Sequence, residues 1–149
     1  MTSLFLLLLL IILVILSGFL SGSETAITAT SKARILYKKK KGSKRAQYVL
    51  ELLDKKDNVI STLLLSNNLV NILASSLATA FFYDIFGVEG IFYATLIMTV
   101  VIVIFAEVLP KTYAINRPNR TALLISPIIY YLNKILFIFV FLINLIVRL

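Results

Sequence analysis

The sequence predicts an all-α membrane protein with three transmembrane helices, at about residues 4–29, 59–83 and 91–114. Hydrophobic residues make up 60% of the 149 residues and charged residues 15%, whereas a soluble domain is usually about 45–50% apolar. Each of the three apolar runs reaches the roughly 20 residues that a helix needs to cross a bilayer. Amphipathic or juxtamembrane helices are also expected, at about residues 32–56 and 120–148.

The first apolar run is almost pure Leu, Ile and Val over residues 4–16, and no Lys or Arg precedes Lys32. One interpretation is a cleavable signal peptide, cut near the small residues 22–26. A signal peptide usually begins with basic residues and has a short apolar core. Because this chain begins with Met-Thr-Ser and its uncharged stretch is longer, a first spanning helix is favoured.

Ten of the fifteen basic residues fall within residues 31–58. Cytoplasmic loops are enriched in Lys and Arg, so we predict a plasma-membrane protein with this loop and the C-terminus in the cytoplasm and the N-terminus outside. The net charge of +8 is also compatible with nucleic acid. A basic block between apolar runs is more typical of a solvated loop that attracts anionic lipid, so membrane lipids and no nucleic acid are the predicted partners. Within the block, residues 46–53 predict an amphipathic helix lying on the membrane.

Cap residues and prolines predict where the spans begin and end. Asp57 or Asn58 is placed to cap the second span, and Pro118 to end the third. The last apolar stretch, residues 122–147, carries Lys134 in its middle. A fourth span would bury this lysine at a cost of about 2.5–3.5 kcal/mol. A helix at the cytoplasmic interface, or a bent helix, would let it reach the headgroups and is favoured.

The first two predicted spans contain polar side chains at helical spacing. Ser17 and Ser21 share one face of the first span, and Gly18 and Gly22 form a strip beside them that permits close helix contact. The serines could instead bond to their own helix backbone, with the glycines simply packing.

The second span concentrates amides and hydroxyls, among them Ser66, Asn67 and Asn71. Buried amides need partners in lipid. Hydrogen bonds between helices of a bundle or dimer and a functional site both remain open for this segment.

The third span ends in VIVIFAEVLPKT, where Glu107 lies in an apolar run and Pro110 follows three residues later. A carboxylate is costly in lipid, and Pro110 has no N–H to bond the carbonyl of Ala106. A salt bridge to Lys111, four residues on, would neutralise Glu107 without any site. Because that bridge leaves Pro110 unexplained, the motif favours a functional site.

The predicted topology places all three polar sets in the inner half of the membrane, where they can converge. Hydroxyl, amide, carboxylate and carbonyl oxygens are hard ligands that suit Mg²⁺, Ca²⁺ or Na⁺, not zinc or copper. The chain has no Cys and no His, which excludes disulfides, zinc sites, haem ligation by His and Cys–His catalysis. The candidate metal ligands are one backbone carbonyl near Ala106 and the side chains of Ser17, Ser21, Ser66, Asn67 and Glu107. Because Mg²⁺ usually keeps some waters, part of these contacts are expected to run through water.

Three segments carry a family resemblance: SGFLSGSETA at 17–26, LSNNLVN at 65–71 and FAEVLPK at 105–111. In this order they resemble the membrane domain of the CNNM/CorC magnesium transporters, over nearly the whole chain. Residues 1–149 are therefore expected to form one such domain, cut before the cytoplasmic CBS domains that normally follow. The resemblance implies three spanning helices, juxtamembrane helices and a homodimer. It also implies a largely dehydrated Mg²⁺ in a cavity open to the cytoplasm, and efflux coupled to Na⁺ entry by alternating access.

The resemblance also extends to individual positions. The ion-contacting positions of the family match Ser17, Ser21, Ser66, Asn67 and Glu107, and Asn71 is a weaker candidate. Structural or gating roles are expected for Gly18, Gly22, Pro110 and Lys111.

Two other classes of function are alternatives to transport. One is a membrane anchor and dimerisation module for cytoplasmic regulatory domains, in which the polar residues mediate helix contacts. An intramembrane enzyme is not predicted, because a Ser–Lys pair would need Lys111 or Lys134 beside a spanning serine and no spacing supports that.

Overall fold

The computed structural model describes the backbone of residues 2–147 and the side chains of residues 4–136. Over this range the chain is helical, as predicted, and without strands. The helices are α1 Thr2–Ala29, α2 Lys32–Lys40, α3 Lys44–Asp54, α4 Lys56–Phe86, α5 Glu89–Val101, a π-helical segment Ile102–Val108, α6 Leu109–Asn116 and α7 Pro118–Val147.

Three stretches are long and apolar enough to cross a membrane, namely Leu4–Ala29, Lys56–Phe86 and Glu89–Asn116. They confirm the three predicted spans, although the third is composed of α5, the π-helical segment and α6. The second starts earlier than predicted, because the Val59 N–H bonds the carbonyl of Lys55 and closes a turn before it. Asp57 therefore lies inside the first turn, where its charge favours the helix N-terminus, and is not the cap.

The chain forms two compact units, one of residues up to 22 and 66–112, the other of residues 23–65 and those from 113 on. The core of the first unit contains Leu10 of α1, Ala74 and Ala78 of α4, and Met98 of α5. The two alanines, four residues apart, face the neighbouring helices with small side chains and allow close packing.

The turn between α4 and α5 depends on two glycines of the first unit. Gly87 has a φ of 63°, a conformation that residues with a Cβ adopt at a cost. Gly90 packs directly against the backbone of α4, where an added Cβ would overlap the carbonyl oxygen of Phe82.

The second unit contains α2, α3 and α7. Gly42, with a φ of 87°, separates α2 from α3, so the predicted stretch 32–56 forms two helices. Ser43 caps α3 by accepting a 3.3 Å hydrogen bond from the Ala46 N–H. The apolar face of α3, which includes Val49 and Leu52, is buried against α2 and α7. The predicted amphipathic helix is confirmed, and protein covers the buried part of its apolar face; its position on the membrane stays a prediction.

Polar contacts join α7 to the rest of the second unit. The Ser126 hydroxyl donates to the carbonyl of Arg45 at 3.3 Å, and the Thr62 hydroxyl donates to the Asn133 amide oxygen at 2.9 Å. The third span ends at Asn116 and α7 begins at Pro118, where the fixed φ of proline suits the first position of a helix.

The C-terminal stretch is one continuous helix, α7, with Pro127 inside it. Lys134 is exposed in this unit. The side chains after residue 136 lie outside the described residues, so the interfacial or bent arrangement of α7 stays a prediction.

Candidate cation site

The candidate site lies in the first unit, where α1 and α4 bring hydroxyl and amide groups together. The Ser17 Oγ lies 2.7 Å from the Asn67 Oδ1 and 2.6 Å from the Asn71 Oδ1. Ser17 is fully buried, Asn67 is 6% exposed and Asn71 is half-buried. The two asparagines are four residues apart on α4 and so share the face that meets α1.

The Ser17 hydroxyl has one proton to donate, yet two amide oxygens lie within hydrogen-bond distance of it. Either one contact brings two oxygens together with no hydrogen between them, or one amide is rotated and offers its NH₂ group to Ser17. In the first orientation the converging oxygens form an arrangement that a hard cation can complete.

Two further predicted ligands lie beside this group. Ser21 is one turn beyond Ser17 on α1 and is fully buried. Ser66 directly precedes Asn67 on α4 and is 8% exposed. The structure thus places four of the five predicted side-chain ligands in buried positions on two helices of the same unit.

Within the first unit, the third span contains the π-helical segment Ile102–Val108. The Leu109 N–H bonds the carbonyl of Ile104, five residues back, and so is not spent on Phe105 in the α-helical pattern. Pro110, the next possible donor for Phe105, has no N–H. The Phe105 carbonyl therefore receives neither the α-helical nor the π-helical bond. The Ala106 carbonyl lacks its α-helical bond for the same reason, because that donor would also be Pro110. Short π-helical segments occur frequently at functional sites.

Glycines on α1 allow the backbone of the third span to come close to α1. A Cβ added at Gly18 would lie 3.1 Å from the Phe105 carbonyl oxygen and 3.2 Å from the Pro110 Cγ. At Gly22 it would lie 3.3 Å from the Pro110 Cβ. The predicted glycine strip is in contact with the predicted proline, and Gly18 is adjacent in sequence to Ser17.

Glu107 is half-buried within the π-helical segment, and Lys111 is half-buried in α6. Among the side chains that the structure describes, the one ion pair joins Lys32 and Asp54, so Glu107 and Lys111 are not paired. The alignment of residues four apart belongs to a regular α-helix, and the wider π-helical turn changes it. The salt-bridge alternative is therefore absent from this structure.

No group of three or more Asp, Glu, His or Cys residues that could hold a metal ion occurs in the described part of the chain. A cation beside Ser17 would be held mainly by neutral hydroxyl and amide oxygens, and none of the described hydrogen bonds links Glu107 to this group. Such a ligand set suits a hard cation better than a soft one.

Three helices long and apolar enough to span a membrane, with buried hydroxyl and amide oxygens where two of them meet, define a helical membrane domain. Residues 8–149 match the family model of the Cyclin M transmembrane N-terminal domain, CNNM. The chain belongs to this family, which confirms the resemblance noted from its three sequence segments.

Relatives of known sequence extend well beyond the length of this chain. The chain is 40% identical over 131 residues to the UPF0053 inner membrane protein YfjD of Escherichia coli K12, covering 80% of this chain and 31% of that protein. It is 37% identical over 130 residues to a UPF0053 protein of Haemophilus influenzae, covering 87% and 31%. It is 29% identical over 122 residues to a putative DUF21 domain-containing chloroplastic protein of Arabidopsis thaliana, covering 82% and 18%. The chain spans about a third or less of the length of these relatives.

Proposed function

We propose that this chain is the membrane domain of a Mg²⁺ efflux transporter that couples export to Na⁺ entry and acts as a homodimer. The observation that carries the proposal is the buried Ser17 hydroxyl, held within 2.7 Å of two amide oxygens. Membership of the CNNM family supports it. The basic loop faces the cytoplasm and the N-terminus lies outside, as the positive-inside rule requires.

The proposed ligands divide into dipoles and one charge. The oxygens of Ser17, Asn67 and Asn71 supply dipoles, Ser21 and Ser66 add hydroxyls at the same level, and the Glu107 carboxylate supplies the charge. The single negative charge of Glu107 neutralises half of the charge of Mg²⁺, so the occupied site keeps a net positive charge. That incomplete neutralisation limits affinity, which a transporter needs because the ion has to leave again. Because Mg²⁺ dehydrates reluctantly, some of these contacts run through water.

Mg²⁺ export requires an energy source. Moving two positive charges outward against 100 mV costs about 4.6 kcal/mol, at ~2.3 kcal/mol per charge. The sequence has no nucleotide-binding motif, so an ion gradient is the natural source. Inward movement of Na⁺ down its gradient supplies free energy of the required sign.

The helix contact between Gly18, Gly22 and Pro110 supports an alternating-access mechanism. With Mg²⁺ bound, both amide oxygens point at the ion and the shortage of protons around Ser17 is relieved. When the ion leaves, one amide rotates and donates its NH₂ to the Ser17 oxygen. Movement of the third span against the glycine strip, at Pro110, then exposes the site to the outside.

Glu107→Ala tests the site directly. We expect Mg²⁺ binding to the purified chain, measured by calorimetry, to weaken strongly, because the one nearby carboxylate is lost. The matched control is Glu89→Ala, which removes an exposed carboxylate at the start of α5 and should leave binding unchanged. Equal affinity in Glu107→Ala and the unmodified chain would sink the proposed site.

Mg²⁺ flux in liposomes with an imposed Na⁺ gradient of either sign tests the transport step. We expect efflux to follow the Na⁺ gradient and to reverse with it. Flux that ignores the gradient would remove the coupling while leaving the site intact. Absence of both binding and flux, with Asn67→Ala breaking the dimer, would favour the anchor and dimerisation module instead.

A further inference from the structure

A cleft in the second unit is lined by four basic side chains contributed by α2, α3, α7 and the loop after α2. It has a volume of about 530 Å³. The basic residues are Lys38, Lys41, Arg45 and Arg120, and Leu123 and Leu124 of α7 form an apolar wall. None of the described residues lining it is an Asp or a Glu.

The four positive charges of this cleft are uncompensated by protein. The one ion pair among the described side chains joins Lys32 and Asp54, outside the cleft. Lys41 lies 4.7 Å from the centre of the Tyr37 ring, a contact that stabilises the ammonium without cancelling its charge. Four like charges around one hollow repel one another, and an anion that enters would relieve this repulsion.

Backbone contacts hold the walls of the cleft in place. Arg45 lies in the first turn of α3, and its carbonyl accepts the 3.3 Å hydrogen bond from Ser126 of α7. The glycine turn at Gly42 and the Ser43 cap fix the start of α3 against the end of α2. Three of the four cations, Lys38, Arg45 and Arg120, are therefore presented from packed helices, and Lys41 lies in the short turn between α2 and α3.

The apolar wall indicates the kind of anion. Leu123 is half-buried and Leu124 is 53% exposed, next to the basic groups and on a helix that follows directly from a membrane span. A free phosphate makes no apolar contact with exposed leucines, whereas a phospholipid carries acyl chains beside its phosphate and can make such contacts. We propose that this cleft binds the headgroup of an anionic phospholipid, with the phosphate held by Arg45, Arg120 and the lysines and the acyl chains along Leu124. This inference does not depend on Mg²⁺ transport.

The structure also separates the four consecutive lysines at 38–41 into two pairs. Lys38 and Lys41, three residues apart, line the cleft, whereas Lys39 and Lys40 do not. All four are exposed. Lys39 and Lys40 therefore provide a control with the same charge and the same local sequence.

The test measures lipid retention by the purified chain in detergent, using native mass spectrometry with phosphatidylglycerol and, separately, with phosphatidylcholine. We expect preferential retention of phosphatidylglycerol. Arg45→Gln/Arg120→Gln should lower its apparent affinity at least about tenfold, since each change removes a charge-assisted hydrogen bond to the phosphate. Lys39→Gln/Lys40→Gln removes the same charge outside the cleft and should stay within about twofold of the unmodified chain. Circular dichroism checks that each variant keeps its helices.

Three outcomes would overturn the proposal. Equal losses in the two double variants would mean diffuse attraction to the membrane surface, not a site. Equal retention of phosphatidylcholine would mean that the cleft does not select an anion. Displacement of the lipid by millimolar inorganic phosphate, with loss of phosphate binding in Arg45→Gln/Arg120→Gln, would mean a site for free phosphate.

Discussion

Asn67→Ala tests whether the oxygen group around Ser17 serves an ion or serves the fold. The Ser17 proton can satisfy one of its two amide contacts, at 2.7 and 2.6 Å. After removal of Asn67 the proton still has the Asn71 oxygen, so the hydrogen bond survives. We therefore expect the free energy of unfolding to fall by about 1 kcal/mol or less, the net value of one neutral hydrogen bond. For a chain of this length that corresponds to a shift in Tm of about 2–4 °C.

Mg²⁺ binding should respond far more strongly to the same change. A contact between an amide oxygen and a charged group is worth about 1.5–3 kcal/mol, so loss of the Asn67 oxygen should weaken Mg²⁺ binding about 10- to 100-fold. The assays are circular-dichroism melting and Mg²⁺ calorimetry on the same preparation in detergent. Asn68→Ala is the matched control, because it removes the neighbouring amide of α4, which is exposed.

Two results would refute the reasoning. A loss of several kcal/mol in stability with unchanged Mg²⁺ affinity would show that the Asn67 amide is structural. A similar loss of Mg²⁺ affinity in Asn68→Ala would show that the effect is not specific to the group around Ser17.

Three further changes follow from contacts described above. Gly18→Ala should lower stability or leave it unchanged. Crowding against the Pro110 ring costs about 1–3 kcal/mol, which offsets the gain of about 1 kcal/mol in helix propensity. A clear rise in Tm would contradict the tight contact. Gly90→Ala should lower Tm by much more than Gly18→Ala, since the new Cβ overlaps the Phe82 carbonyl, and a folded variant with normal melting would contradict this. Lys32→Ala removes an exposed ion pair and should change stability by less than about 1 kcal/mol, as urea titration would reveal.

The spans and the polar sets could be predicted from the sequence because hydrophobic length and helical spacing are local properties. Ser17, Asn67 and the glycine strip are visible as spacings of four along single helices. The sequence favours Asn67 over Asn71 as a ligand, yet both amide oxygens lie at about the same distance from Ser17. Their spacing of four, which places both on one face of α4, is the sequence signal for equal roles.

The remaining features depend on contacts between segments distant in sequence. The apolar face of α3 has the same pattern whether lipid or α7 covers it, so the pattern could not decide between them. The π-helical segment could not be predicted from the sequence either. A proline three residues after a carboxylate predicts a freed carbonyl at Ala106, but it does not predict the shift in hydrogen bonding. That shift removes the α-helical bond to Phe105 as well and changes the alignment of Glu107 with Lys111.

The π-helical segment changes the helix register within the third span. If one residue of the segment changed from the π-helical to the α-helical pattern, the helix on one side would rotate by about 100° and shift along its axis by about 1.5 Å. At its C-terminal end Pro110 cannot supply the N–H that an α-helical bond to Ala106 requires. The π-helical pattern therefore cannot extend towards α6, because the next bond, to Phe105, would also need the missing N–H of Pro110. A π-helical turn that moved towards α5 would re-orient the residues it passed by about 100°, while the residues after the proline kept their register.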